Sequence, residues 1–204
     1  MVYGRRSIQR VGLLGGTFDP PHVGHLWLAE TAQAQLGLDR VLFLPVGAPV
    51  HKNGGITAVS HRLTMTQLAL SNYPSFQLDT TDAERPSPHA TYTLLPLLRQ
   101  QYPQARFWLL LGGDSLRDFA TWRQPQQIIR QCRLAVLPRP GADVDWAVLD
   151  ETVPGLKTAV DWLDGPTIPL SSTEIRAWVG AGYSVRALVG TAVAAHINQY
   201  QLYQ

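Results

Sequence analysis

The chain holds a single cysteine and two lysines in 204 residues, and no apolar run long enough to cross a bilayer. A lone thiol cannot close an internal disulfide. The neighbours of Cys132, namely Ile128, Ile129 and Leu134, place it among core residues, so a reducing, cytoplasmic compartment is expected. With lysine scarce, arginine is the main cation, and the formal net charge is only +2. That balance lacks the basic stripe of a general nucleic-acid binder, yet the forked donors of arginine suit a discrete phosphate pocket. Repeats, low-complexity tracts and linker-like stretches are also missing. One domain over residues 1–204 is therefore expected, long enough to bury a sizeable core. Residues 1–9 carry arginines but no apolar segment and read as a flexible basic extension, not a secretory signal.

What is present alternates apolar runs with amphipathic stretches. The runs at 11–14, 41–44, 76–78, 107–111 and 134–137 are continuously apolar, as strands covered on both faces are. Helices are expected at 23–36, 60–71, 93–102 and 126–132. The second of these has Ser60 as its cap and Leu63, Met65, Leu68 and Leu70 as its apolar stripe. This order predicts an α/β architecture: a Rossmann-like, doubly wound, mostly parallel sheet with helices on both faces. Residues 141–165 are weakly periodic and read as a helix and a connecting strand on the flank of the sheet. Helices at 172–179 and 191–200 close the chain, within a C-terminal unit spanning 171–204.

Directly after the first run comes Gly-Gly-Thr-Phe-Asp-Pro-Pro-His-Val-Gly-His, residues 15–25. It is neither the dinucleotide fingerprint G-x-G-x-x-G nor a Walker A loop. A glycine-rich turn between a first parallel strand and a helix is nonetheless where such sheets bind phosphate, and Gly15 and Gly16 would let main-chain amides approach it. His22 and His25 are three apart and share a face of the helix that Pro20 and Pro21 introduce. Three roles compete for them: metal ligands, donors to phosphate oxygens, or structural caps. No further Cys, Asp or Glu stands at zinc-site spacing. Downstream, Ser171 with Glu174 three residues on reads as a capping box, and Arg176 projects from the same turn.

The segment G-x-F-D-x-x-H-x-G-H resembles the signature of the nucleotidyltransferase superfamily. In its full form it is most similar to that of bacterial nicotinate-nucleotide adenylyltransferases. Ser-Ser-Thr-Glu-Ile-Arg at 171–176 resembles that family's I-S-S-T-x-I-R, with Leu170 replacing the leading Ile. Gly112 to Leu116 is similar to its G-x-D-x-L, and Thr91-Tyr92-Thr93 to its S-Y-T. Pro-Val-His-Lys at 49–52 resembles its P-P-H-K/R, with Val50 in place of the second proline. Pro138-Arg139-Pro140-Gly141 resembles its R-P-G.

The resemblance implies adenylyl transfer from ATP to nicotinate mononucleotide, giving nicotinate adenine dinucleotide and pyrophosphate, with His22 and His25 catalytic. It implies ATP binding by Gly15, Gly16, Thr17, Phe18, His22, His25, Asp114, Ser172, Thr173 and Arg176. Thr17, His51, Lys52, Tyr92, Thr93, Trp122 and Arg139 would bind the mononucleotide, Trp122 as a platform for the pyridine ring. Mg2+ is the implied cofactor, held mainly by phosphates rather than by protein ligands. The implied partners are the two substrates, with no nucleic acid and no membrane, and homo-oligomerisation stays open. Three alternatives remain at this stage. They are preference for nicotinamide mononucleotide, transfer to another acceptor as in cytidylyl- and phosphopantetheine adenylyltransferases, and a non-catalytic nucleotide-binding or RNA-associated module.

Overall fold

The computed structural model describes residues 10–47, 55–139, 141 and 144–204. The expected extension at 1–9 lies outside them. The apolar runs become strands β1 (Arg10–Gly16), β2 (Arg40–Pro45), β3 (Phe76–Leu78), β4 (Arg106–Gly112) and β5 (Arg133–Leu137), and a sixth, β6 (Val160–Trp162), completes one sheet. Its order is β3-β2-β1-β4-β5-β6, and every neighbouring pair is parallel, so the expected mostly parallel sheet is parallel throughout. The strand expected on the flank between 141 and 165 is β6, an edge member paired to β5. Helices Trp146–Thr152 and Leu156–Ala159 precede it.

Alternation along each strand explains the continuous apolar runs. Phe107, Leu109 and Leu111 of β4 face one core with Leu94, Leu95 and Leu98 of the helix Thr91–Gln101. Trp108 and Leu110 face the other with Leu28, Ala29 and Ala32 of the helix Val23–Leu36. Both faces being dry, neither set could be polar.

The C-terminal helices Ser172–Gly180, Arg186–Val189 and Thr191–Gln199 build a third core around Met65 of the helix Val59–Ala69. That helix departs from expectation. It starts one residue earlier, with Ala58 as a cap lacking any side-chain bond, so Ser60 is not the cap. Its buried residues are Arg62, Met65 and Thr66, while Leu63 and Leu68 are only half-buried.

The strand order reverses between β1 and β4. Open parallel sheets bind ligands in the crevice at that point, beyond the carboxyl ends of the strands. The segments after β1, β4 and β5 all emerge there.

Candidate active site

A cavity of about 440 Å³ occupies this crevice. Its lining includes Gly15, Thr17, Phe18, His22 and His25 from the segment after β1, and Asp114 and Trp122 from that after β4. Arg139 follows β5, and Ser171, Ser172 and Thr173 come from the start of a C-terminal helix. Residues as far apart in sequence as Gly15 and Thr173 thus share one wall.

The turn is not built as its glycines suggest. Gly15 and Gly16 are still strand residues, in register with Leu44 and Pro45 of β2. The left-handed residue is Phe18, at φ +50°. Gly16 is needed for space: a Cβ there would lie 3.2 Å from the tip of the Phe18 ring. Gly16 itself is off the lining, whereas a Cβ on Gly15 would meet nothing within 4 Å.

His22 and His25 close a capping box. The Gly24 N–H donates to His22 Nδ1 at 3.2 Å, and the His22 N–H donates to His25 Nδ1 at 3.2 Å. A Cβ on Gly24 would sit 3.0 Å from His22 Nδ1 and crowd the first bond. Two of the competing roles therefore merge. With each Nδ1 accepting from a backbone amide, the ring proton of each neutral imidazole must sit on Nε2. The rings lie 3.8 Å apart between centroids, with Phe18 edge-on to His25 at 4.9 Å. Burial lowers the His22 pKa to about 4, with Arg139 adding to the shift and Glu174 opposing it. The half-buried His25 is likewise pushed well below the ordinary value by desolvation, then by His22 and Arg139. Both rings are neutral Nε2–H donors at neutral pH.

A pH dependence of stability follows. Below its ordinary pKa of 6.5 the unfolded chain protonates His22, while the native site refuses the proton until about 4. Stability is therefore fully present above pH 6.5 and falls as pH drops through that window, by up to ~3 kcal/mol from His22 alone. Denaturant titrations at pH 7.5 and pH 4 check this. In a His22→Asn variant, which retains a good helix cap, the acid loss should shrink by that amount.

Asp19 is buried and fixes the turn from behind. Its Oδ1 accepts from the Tyr203 hydroxyl at 2.7 Å, and its Oδ2 from the Thr57 N–H at 3.2 Å. The Asp19 carbonyl accepts from Arg176 at 2.8 Å, and the Ser172 hydroxyl donates to the Pro20 carbonyl at 2.9 Å. The Ser171–Glu174 capping box forms as the sequence indicates. Arg176 stands behind the lining rather than on it, bonded also to Thr173.

Arg62 escaped the sequence reading. Only 1% exposed, it donates to four backbone carbonyls: Thr57 at 3.0 Å, Thr17 and Val46 at 2.8 Å each, and Gly47 at 2.6 Å. It gathers the motif turn, the end of β2 and the approach to its own helix. Its signal in the sequence is an arginine three residues before Met65, on the face that had to be buried.

Among the other expected residues, Asp114 accepts from Arg139 at 3.2 Å, joining groups assigned to different substrates. Trp122 is half-buried against Phe119, 5.2 Å between centroids, and reaches the cavity. Tyr92 packs on the core, and Thr93 is occupied within its own turn. Its hydroxyl donates to the Ala90 carbonyl and accepts from Arg85, and neither residue is on the lining. His51 and Lys52 lie outside the described residues, as do Pro49, Val50 and Pro140.

Comparison with known proteins adds the following. The model of the cytidylyltransferase-like family matches residues 13–178. A protein of Herpetosiphon aurantiacus named "Probable nicotinate-nucleotide adenylyltransferase" is 39% identical over 196 residues, covering 96% of this chain and 99% of its own length. One of the same name from Thermomicrobium roseum is 41% identical over 198 residues, covering 97% and 92%. Among solved structures, the Plasmodium falciparum nicotinic acid mononucleotide adenylyltransferase complexed with NaAD is similar in fold, with a TM-score of 0.78 at 18% identity. The likeness covers 96% of this chain and 97% of that one.

Proposed function

The chain belongs to the cytidylyltransferase-like family, and we propose the residue roles by which it acts. It transfers the adenylyl group of ATP to nicotinate mononucleotide, forming nicotinate adenine dinucleotide and pyrophosphate in NAD biosynthesis. The 5′-phosphate of the mononucleotide attacks the α-phosphorus in line, the bond to the bridging oxygen of the β-phosphate breaks, and pyrophosphate leaves. The attacking phosphate is already ionised, so no side chain need remove a proton. Catalysis reduces to orientation, worth ~7–11 kcal/mol at best, and to donors placed where charge shifts.

The observation that carries the assignment is the double histidine cap. It presents two Nε2–H donors that cannot ionise near neutrality and need no reorientation during transfer. His22 and His25 are assigned to the α- and β-phosphate oxygens. Thr17 and the amides at 15–18 take the phosphate chain, with Ser172 and Thr173 beyond them and Arg176 holding that helix start in place. Asp114 and Arg139, already paired, stand between the two substrates. Trp122 receives the pyridine ring on its open face.

A divalent cation, proposed to be Mg2+, would enter with the phosphates and offset their charge. Among the described residues no three His, Cys, Asp or Glu side chains converge, and the one carboxylate on the lining, Asp114, is engaged by Arg139. A cytoplasmic location belongs to the same proposal. No helix among the described residues is long and apolar enough to cross a membrane.

Pyrophosphate release from ATP, measured separately with nicotinate and nicotinamide mononucleotides, tests the function. Silence with both acceptors would overturn it, and faster release with the amide would reassign the acceptor. For Trp122→Ala we expect the KM of the mononucleotide to rise by about 10- to 100-fold, as loss of a stacking platform worth ~1–3 kcal/mol requires, with the KM for ATP little changed. Equal rises in both would reduce Trp122 to a packing residue on Phe119.

A further inference from the structure

Four of the six strands open with arginine: Arg10 on β1, Arg40 on β2, Arg106 on β4 and Arg133 on β5. The amino end of the sheet, opposite the catalytic crevice, therefore carries a row of cations, with Arg10 and Arg106 as register partners. Behind β4 and β5 at this end lies a second cavity, of about 530 Å³, within the size range of small-molecule sites. Among the described residues, Arg99, Arg106, Arg130 and Arg133 line it, and no Asp or Glu does.

The four arginines are not equivalent. Arg133 is neutralised by Asp161, at 2.5 and 2.7 Å. Arg99 is half-buried and fixed over the Phe107 ring, 4.4 Å from its centroid, with the carbonyls of Ala105 and Gln131 as its hydrogen-bond acceptors. Carbonyls orient a guanidinium without cancelling its charge. Arg106 and Arg130 are exposed, and their side chains have no hydrogen bond or ion pair among the described residues. Three guanidinium groups with no carboxylate partner among the described residues thus border one hollow in a chain whose formal net charge is only +2. Like charges gathered this way repel unless an anion joins them.

The geometry points to a second ligand site here, for a compact polyanion with two or more linked phosphates. Guanidinium forks match phosphate oxygens pairwise, and a linked phosphate chain answers several at once. The same walls argue against recognition of a base. Phe107 and Trp108 are 3% and 5% exposed, and their faces are covered by Arg99 and Arg10. The site therefore recognises the phosphate chain alone, whether inorganic or the tail of a nucleotide.

The test fills the catalytic cavity with nicotinate adenine dinucleotide and then titrates the whole protein calorimetrically with sodium tripolyphosphate at low salt. A parallel arm uses ATP. Wild type should take up a single further equivalent, with affinity falling as salt rises. The Arg106→Ala/Arg130→Ala double variant should lose at least about tenfold in affinity while its turnover stays unchanged. Arg186→Ala, an exposed arginine on a C-terminal helix, should behave as wild type. Uptake of both probes makes a nucleotide tail sufficient, and uptake of tripolyphosphate alone makes the source inorganic; either supports the site. No further uptake by wild type, unchanged affinity in the double variant, or an equal loss in Arg186→Ala would overturn it. So would tighter binding of an RNA oligomer that the double variant abolishes. If the dinucleotide itself fails to bind, the catalytic reading falls instead. The arginine site is then decided by whether the double variant takes up one tripolyphosphate fewer than wild type.

Discussion

Turnover of a His25→Asn variant is expected to fall by about two to three orders of magnitude while its melting temperature stays within about 2 °C of wild type. The reasoning separates the two ring nitrogens. Nδ1 of His25 accepts the His22 N–H and so belongs to the helix cap; Nε2 carries the proton assigned to the phosphates. An asparagine oxygen falls close to the Nδ1 position, so the cap survives while the Nε2–H donor is lost. Removing one preorganised donor of this kind raises a barrier by roughly 3–4 kcal/mol. His25→Ala removes both functions, and should add a stability loss of about 1 kcal/mol to the same drop in turnover. Thermal melts and steady-state rates on the two variants check the pair. An asparagine variant with near-normal turnover would leave His25 a capping residue only.

The largest stability effect is expected at Arg62. In Arg62→Met the side-chain volume is nearly kept, but the carbonyls of Thr17, Val46, Gly47 and Thr57 lose their common donor. Each buried acceptor left unpaired is unfavourable by ~1–3 kcal/mol, and local relaxation recovers part of that. A net loss of about 4 kcal/mol is expected, or roughly 8–16 °C in a domain of this size. Arg62→Lys keeps the charge with fewer reachable acceptors and should fall between. Differential scanning calorimetry decides it: a methionine variant melting within about 2 °C of wild type would mean those carbonyls find other donors.

The contrast between these residues shows where sequence reading succeeds. The strands were legible because a sheet covered on both faces allows no polar position, so 107–111 had to read as an unbroken apolar run. Much of the cavity lining was legible because it sits in contiguous segments, at 15–25, 112–116 and 171–176, each emerging at the carboxyl end of the sheet or against it.

What stayed hidden leaves no periodic pattern in the sequence. Thr93 reads as the start of a helix, yet the helix begins at Thr91, and the Thr93 hydroxyl turns back to the Ala90 carbonyl and receives Arg85. Short helices such as Gly113–Arg117 have too few residues to show a period. Arg62 breaks the rule that charge marks a solvent face, since its acceptors come from three separate segments. Nor does any local pattern announce that Phe18, rather than a glycine, takes the left-handed conformation.

The bond from Tyr203 to Asp19 spans 184 positions. During synthesis the motif turn leaves the ribosome long before the hydroxyl that anchors it, which is made 184 residues later. Contacts this distant in sequence form late, because a long loop must close before they contribute. A nascent chain would therefore hold the motif turn by Thr57 and Arg62 alone until the C-terminal helices dock on the helix Val59–Ala69. Docking of these helices and the final anchoring of the motif turn become the same event.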